Sequence, residues 1–243
     1  MAAPERRPVR LNFWMTVCAI PALMLLIGLG VWQLQRLEWK ENLIAERTAR
    51  LSQPSVALSS VPQDSWRDFE LRRVTFSGRF LHDRSIEIIN RIHTGRPGVH
   101  IVTPLVLADG SGTLLVDRGW VPPVRDRHPG EMRLPTGEVN VAGVLRAGGR
   151  PGPWIPDNEP AKRIWFYADA PAMAASVGIF DARPFVVEAE RSSADTGYPF
   201  GGQTEFFLVN NHLQYALTWF GLAATLVAIY VLFHVRRRQD ATN

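Results

Sequence analysis

Two stretches without a charged side chain bracket this chain, and they constrain its fold more than anything else in it. The first runs from Leu11 to Gln35 and the second from Phe206 to Val235. About 20 apolar residues in helical form cross the hydrocarbon core of a bilayer. At about 1.5 Å per residue the first stretch alone would reach roughly 37 Å. The reading is an α+β membrane protein with two transmembrane helices, at 13–35 and 206–235, flanking a domain at 36–205. The first run is too long for the core of a signal peptide. Gln33-Leu34-Gln35-Arg36-Leu37 follows it in place of a small-residue cleavage site, so an uncleaved anchor is expected.

Charge supplies the orientation. The chain carries a net +4. Arg6, Arg7 and Arg10 face only Glu5 in the tail 1–12, and Arg236, Arg237 and Arg238 face only Asp240 in the tail 236–243. The domain between the spans is balanced. By the positive-inside rule both termini would be cytoplasmic and the domain periplasmic. The tail before the first span is too short for a mitochondrial transit peptide, which points to a bacterial inner membrane. A balanced domain argues against nucleic acid, which needs a basic face. The single cysteine, Cys18, lies in the first span, so the domain has no disulfide and no Cys pair for copper.

After the first span, Leu37, Ile44 and Leu51 recur every seven residues among charged ones, so the helix should continue to about Leu51. Residues 54–65 read as a polar linker. Beyond it the period falls to two. Val74, Phe76 and Phe80 alternate with polar residues, and Ile86 and Ile88 flank Glu87. Leu114, Val116, Arg118 and Trp120 fall on one face; Val139, Val141 and Leu145 on another; Phe185 and Val187 on a third. Asp109-Gly110-Ser111-Gly112 reads as a hairpin turn. Pro104 suits an edge or bent strand. Asp169, Pro171 and Gly178 have the positions of cap, first turn and stop for one short helix. The domain should be an antiparallel β-sheet domain, sandwich or barrel, with that single helix.

The candidate functional residues are few. His212 stands at the mouth of the second span, where ionisable groups tend to mark function. It has a bland reading, an interfacial hydrogen-bonding residue, and a sharper one, an axial ligand to haem iron. With no second His or carboxylate one turn away, a closed metal site within this motif is not expected. Helical spacing puts His212, Tyr215, Ala216, Trp219 and Ala223 on one face, with alanines small enough to admit a flat macrocycle. Trp32, Arg36 and Trp39 share a face that could meet the second span. Arg118 is either a salt-bridge partner that fixes the sheet or a carboxylate-binding arginine, for example for a haem propionate. His234 reads as a snorkelling interface residue, and His82, His93, His100 and His128 as structural or solvated. Motifs for serine hydrolases, P-loops, zinc proteases and haem attachment are all missing.

Four segments in order resemble the surfeit-locus family of cytochrome c oxidase assembly factors. They are Gly28–Lys40, Gly95–Pro122, the Pro156-Asp157-Asn158 turn leading to Trp165 and Asp169, and Asn210–Ala223. Where some members carry Asn before the Arg-Gly-Trp run, this chain has Asp117. The resemblance implies a non-enzymatic chaperone that binds haem a through His212 and assists its delivery. Tyr215 and Trp219 would shape the pocket, and Arg118 would meet a propionate. The implied partners are haem A synthase, the cytochrome c oxidase catalytic subunit and the lipid bilayer. The alternative is a protein-only scaffold that holds oxidase assembly intermediates without haem.

Overall fold

The computed structural model describes residues 12–127, 130–150, 152–191, 197–203 and 210–240. His128, nearly all of the N-terminal tail, the last residues of the C-terminal tail and the start of the second charge-free run lie outside the described residues. The chain divides into two bodies, Met1–Glu46 with Phe207–Asn243, and Arg47–Phe206.

The first body is a pair of long helices, α1 (Phe13–Ser52) and α3 (His212–Asp240). Both are long and apolar enough to cross a membrane. Their apolar side chains stay exposed: Met24 by 62%, Leu217 by 65% and Leu232 by 56%. A helix that is apolar all round but unburied needs lipid to cover it. The chain is therefore a membrane protein. Helix α1 continues beyond the charge-free run to Ser52, as its heptad of Leu37, Ile44 and Leu51 requires.

The second body is a β domain of strands β1 (Val56–Ala57), β2 (Arg73–Phe80), β3 (Ile86–His93), β4 (Arg96–Leu107), β5 (Thr113–Val121), β6 (Val139–Arg146) and β7 (Ala182–Ala189), with helix α2 (Ala170–Ser176) before β7. The sheet order is β1-β2-β6-β7-β5-β4-β3, and β2 also pairs with β4. That last pairing closes β2, β6, β7, β5 and β4 into a five-stranded barrel. The reading of sandwich or barrel resolves to a barrel, and one pairing departs from the antiparallel expectation. β5 and β7 run parallel, with Leu115 opposite Val186 and Val116 opposite Val187. A closed ring of five strands cannot alternate direction all the way round, so one like-directed pair is unavoidable. The chain returns between β5 and β7 through β6, which pairs antiparallel with β7, and α2 lies on the β6–β7 connection.

Closure depends on β4. Its first half pairs with β3 (Ile86 opposite Val102) and its end with β2 (Phe80 opposite Leu105, Gly78 opposite Leu107). Pro104 stands where one partner gives way to the other, at a point that needs no donor on that side. Its carbonyl accepts from the Leu81 N–H at 2.8 Å. The hairpin turn forms as expected, with the Asp109 carboxylate accepting from the Ser111 N–H at 2.9 Å.

Inward-facing residues fill the barrel: Val74, Leu105, Leu114, Val116, Leu145, Phe185 and Val187 are all buried. One end is plugged by Leu58, Val61 and Trp66, with the Trp66 ring 5.2 Å from that of Phe185. This corrects the reading of 54–65 as a polar linker. The segment contributes β1 and two buried apolar residues to the core. A second cluster lies outside the barrel, where Leu115, Val102, Ile88 and Val186 pack against Trp165 and against Met173 and Ala174 of α2. Asp169 caps α2 by accepting from the Ala172 N–H.

A bulge in β5 alters the expected face. His100 pairs with Trp120 but Val102 pairs with Asp117, so Arg118 and Gly119 together oppose Ile101 alone. The extra residue reverses parity. Arg118 stays on the inward face of Leu114 and Val116, whereas Trp120 turns to the opposite face, against His93 and Phe200. The Asp117 carboxylate holds the bulge. One oxygen accepts from the Gly119 N–H at 2.9 Å, and the other lies 2.8 Å from His100 Nδ1.

Gly119 has φ +109°, and a Cβ there would lie 1.9 Å from the Phe200 carbonyl oxygen. Gly119→Ala should cost about 2–4 kcal/mol, read as a lowered Tm, because strain and a backbone clash add. Hydrogen bonds from Ser111, first its side chain and then its backbone N–H, hold the Asp109 carboxyl below the usual carboxylate range. A depressed folded-state pKa stabilises above the unfolded value and is lost as pH falls through the folded one. Asp109→Ala should therefore cost well under 1 kcal/mol at pH 7, since the group is exposed. The Tm difference from the parent should shrink as the pH falls below about 4.

Candidate functional site

In the helix pair, His212 is the first residue of α3. Its Nδ1 lies 2.7 Å from the Gln33 Oε1 of α1. An amide oxygen can only accept, so Nδ1 donates, and in the neutral ring Nε2 is then the nitrogen that keeps its lone pair. The imidazole is half-buried and Gln33 is buried. Two residues placed far apart in sequence thus fix one tautomer of one histidine.

The rest of the interface explains why they meet. Ala216, Phe220 and Ala223 follow His212 at helical spacing, and both alanines are buried. The Phe220 ring lies over Gly30, where a Cβ would come within 2.6 Å of it. Gly30 and Gln33 are the buried residues of α1. At the far end of the pair, Thr16 Oγ1 and Tyr230 Oη are 2.7 Å apart, and the Asn12 N–H donates to His234 Nε2 at 3.2 Å. His234 Nδ1 in turn donates to the Tyr230 carbonyl. A polar clasp therefore closes each end of the pair.

Several expectations change here. The alanines that were to admit a macrocycle lie on the face turned to α1. Tyr215 is outside that face and 55% exposed, and Trp219 is half-buried beside it. Trp32 and Trp39 of α1 point outward, with the Arg36 guanidinium 4.0 Å from the Trp39 ring. The face of α1 that meets α3 is that of Gly30 and Gln33, three residues apart. The sequence signal for Gln33 was its amide inside an apolar run. His234 is buried with both ring nitrogens engaged, so it does not snorkel.

Arg118 belongs to the β domain and is described there. It is buried at the mouth of the barrel opposite the apolar plug. Its guanidinium lies 5.0 Å from the Phe80 ring, donates to the Arg133 carbonyl and reaches His82 Nδ1 at 3.4 Å. These contacts fix the position of the guanidinium at the barrel mouth. Of the scattered histidines, His82 Nε2 donates to the Pro135 carbonyl, His93 stacks on Phe200, and His100 meets Asp117. Among the described residues no three His, Cys, Asp or Glu side chains gather as a metal site.

The SURF1 family model matches residues 20–224, a span that includes Gln33, Arg118 and His212. The chain belongs to the SURF1 family. Surfeit locus protein 1 of Mus musculus is 35% identical over 228 residues, covering 86% of this chain and 72% of that protein. Surfeit locus protein 1 of Homo sapiens is 35% identical over 216 residues, covering 81% and 70%. A SURF1-like protein of Caenorhabditis elegans is 30% identical over 232 residues, covering 87% and 70%. In this SURF1-family chain the match covers the Gly30, Gln33, His212 and Phe220 part of the helix pair and the whole barrel.

The Gln33–His212 bond has a direct readout. In protein labelled with ¹⁵N-histidine, the His212 signals should be those of the Nδ1–H tautomer. Gln33→Leu removes the acceptor at similar volume and should shift His212 towards the Nε2–H form. His234, held by the Tyr230 carbonyl, should keep its signals. Unchanged His212 shifts in Gln33→Leu would show that the amide does not set the tautomer.

Proposed function

We propose that this protein is an assembly factor for a haem-copper cytochrome c oxidase, in which His212 ligates the iron of haem a while that cargo is in transit to the catalytic subunit. The observation that carries the reading is the hydrogen bond from His212 Nδ1 to Gln33. Iron binds a neutral imidazole through a free nitrogen lone pair, and metal-bound histidines usually donate their other N–H to an orienting acceptor. The donor set here fits that requirement, with Nε2 as the coordinating atom and Gln33 as the group that holds the ring.

The surroundings suit an amphipathic cargo. Leu213, Tyr215 and Leu217 are exposed on the first turns of α3. They offer an apolar flank to the edge of a tetrapyrrole, and Trp219 borders it. One histidine without a second ligand holds iron modestly, as a carrier that must release its load requires. The basic tails would keep both termini on the cytoplasmic side of the inner membrane with the β domain across it. Haem A synthase, as source, and the oxidase catalytic subunit, as recipient, are the partners the reading requires. No turnover is assigned to the protein itself.

The test is the haem content and visible spectrum of protein co-produced with haem a. The parent should carry haem with a histidine-ligated spectrum. His212→Ala should lose most of it, and Gln33→Leu should weaken binding about 10-fold as an outer-shell partner does. Haem-free parent protein that still co-purifies with oxidase intermediates would establish the protein-only scaffold instead. Equal haem content and spectrum in His212→Ala would remove His212 as the ligand.

A further inference from the structure

The end of the helix pair that carries His234 has the make-up of a membrane surface. The Asn12 N–H donates to His234 Nε2, so the start of α1 and the last turns of α3 share one level. There the charge-free run of α3 gives way to Arg236 and Arg237. At the same level Phe13 and Trp14 open α1, exposed by 69% and 75%, with their ring centroids 5.6 Å apart in an edge-to-face pair. Exposed Trp rings and arginines at the limit of an apolar span sit at the headgroup level of a bilayer.

A groove of about 450 Å³ runs along α3 up to this level, lined by Ile229, Leu232, Phe233, Arg236 and Arg237. Spacings of three and four residues keep these five on one side of the helix. It is not the side of Ala216, Ala223 and His234, which are buried. All five groove side chains are exposed. Among the described residues neither guanidinium forms an ion pair or a hydrogen bond, and that of Arg237 lies 5.9 Å from the Phe233 ring. From Ile229 to Arg236 is seven residues, about 10 Å of helix. Over that length the wall passes from apolar to cationic. An anionic phospholipid has the same order, with its phosphate outermost and its acyl chains beginning just inside. An ordinary lipid-facing surface would offer the apolar wall without the two charges above it.

We propose that this groove is a binding site for one anionic phospholipid, with Arg236 and Arg237 on its phosphate and Ile229, Leu232 and Phe233 against its upper acyl chain. Guanidinium groups match phosphate oxygens in a planar, two-pronged geometry, and basic side chains beside a span favour anionic lipids. The bound lipid fixes the depth of α3 in the bilayer, and the Asn12–His234 bond carries that depth to α1. The site does not depend on iron ligation at His212, which lies at the other end of α3.

The test is native mass spectrometry of the full-length protein in a neutral detergent, titrated with phosphatidylglycerol or with phosphatidylcholine of the same acyl chains. The parent should hold one phosphatidylglycerol per chain at least about 10-fold more tightly than phosphatidylcholine. The double change Arg236→Gln with Arg237→Gln should bring that ratio to within about twofold of unity. Arg36→Gln, at the other end of the helix pair, should leave the preference within about twofold of the parent's, because its charge lies far from the groove. Arg236 and Arg237 are exposed, so the double variant should fold; circular dichroism and Tm check this. Equal binding of the two lipids by the parent, or an undiminished preference in the double variant, would overturn the proposal. A lipid-free dimer of the parent that the double variant dissolves would assign the groove to a second copy of the chain, and would overturn it too.

Discussion

The β domain depends on β4 serving two neighbours in succession. A strand that paired only with β3 would leave β2 on an open edge, and five short strands would make a strongly twisted open sheet. By passing from β3 to β2 at Pro104, β4 closes the ring and removes those edges. Much else follows. An odd ring forces the parallel β5–β7 pair, with β6 as the return strand between its members. The long β6–β7 connection bearing α2 covers the outer face with Trp165 and Met173. The β5 bulge lets the strand leave the ring after Arg118, sending Trp120 to the other face.

The membrane imposes the other constraint. A polar group in lipid must find its partner within the protein. Gln33, Thr16, Tyr230, His212 and His234 meet that demand in pairs across α1 and α3, at both ends of the helix pair. Between them, Gly30 makes room for Phe220. Polar contacts of this kind contribute about 0.6–2 kcal/mol each in a bilayer. Their larger effect is on register, because sliding α3 by one residue would break both clasps together.

Period and charge made most of the fold legible. The two spans, the extension of α1 to Ser52, the Asp109 turn, the capped α2 and the alternating faces of β2, β6 and β7 are all local patterns. What the sequence hid was set by long-range pairing. Leu58 and Val61 sit in a polar stretch, and only the barrel's open end explains their burial. Trp120 obeys the alternation on paper, and only the bulge, visible in the register with His100 and Val102, reverses it. His212 stood out because it is ionisable. Gln33 did not, since an uncharged amide hardly disturbs an apolar run. The wheel of α3 grouped Tyr215 with Ala216, yet a helix face some 100° wide cannot say which edge a neighbour will cover.

The identity of the group beside His212 bears on what the site can do. A carboxylate in place of Gln33 would also fix the Nδ1–H tautomer, but it would bring a charge to the membrane and make the imidazole more basic. Both effects favour tight, lasting ligation to iron. An amide orients the ring to the same degree and adds no charge. On the proposed reading, that choice separates orientation from strength. The ring is held ready for coordination, while the iron–histidine bond stays weak enough to be surrendered to a recipient. A resident haem protein gains nothing from such a compromise; a carrier requires it.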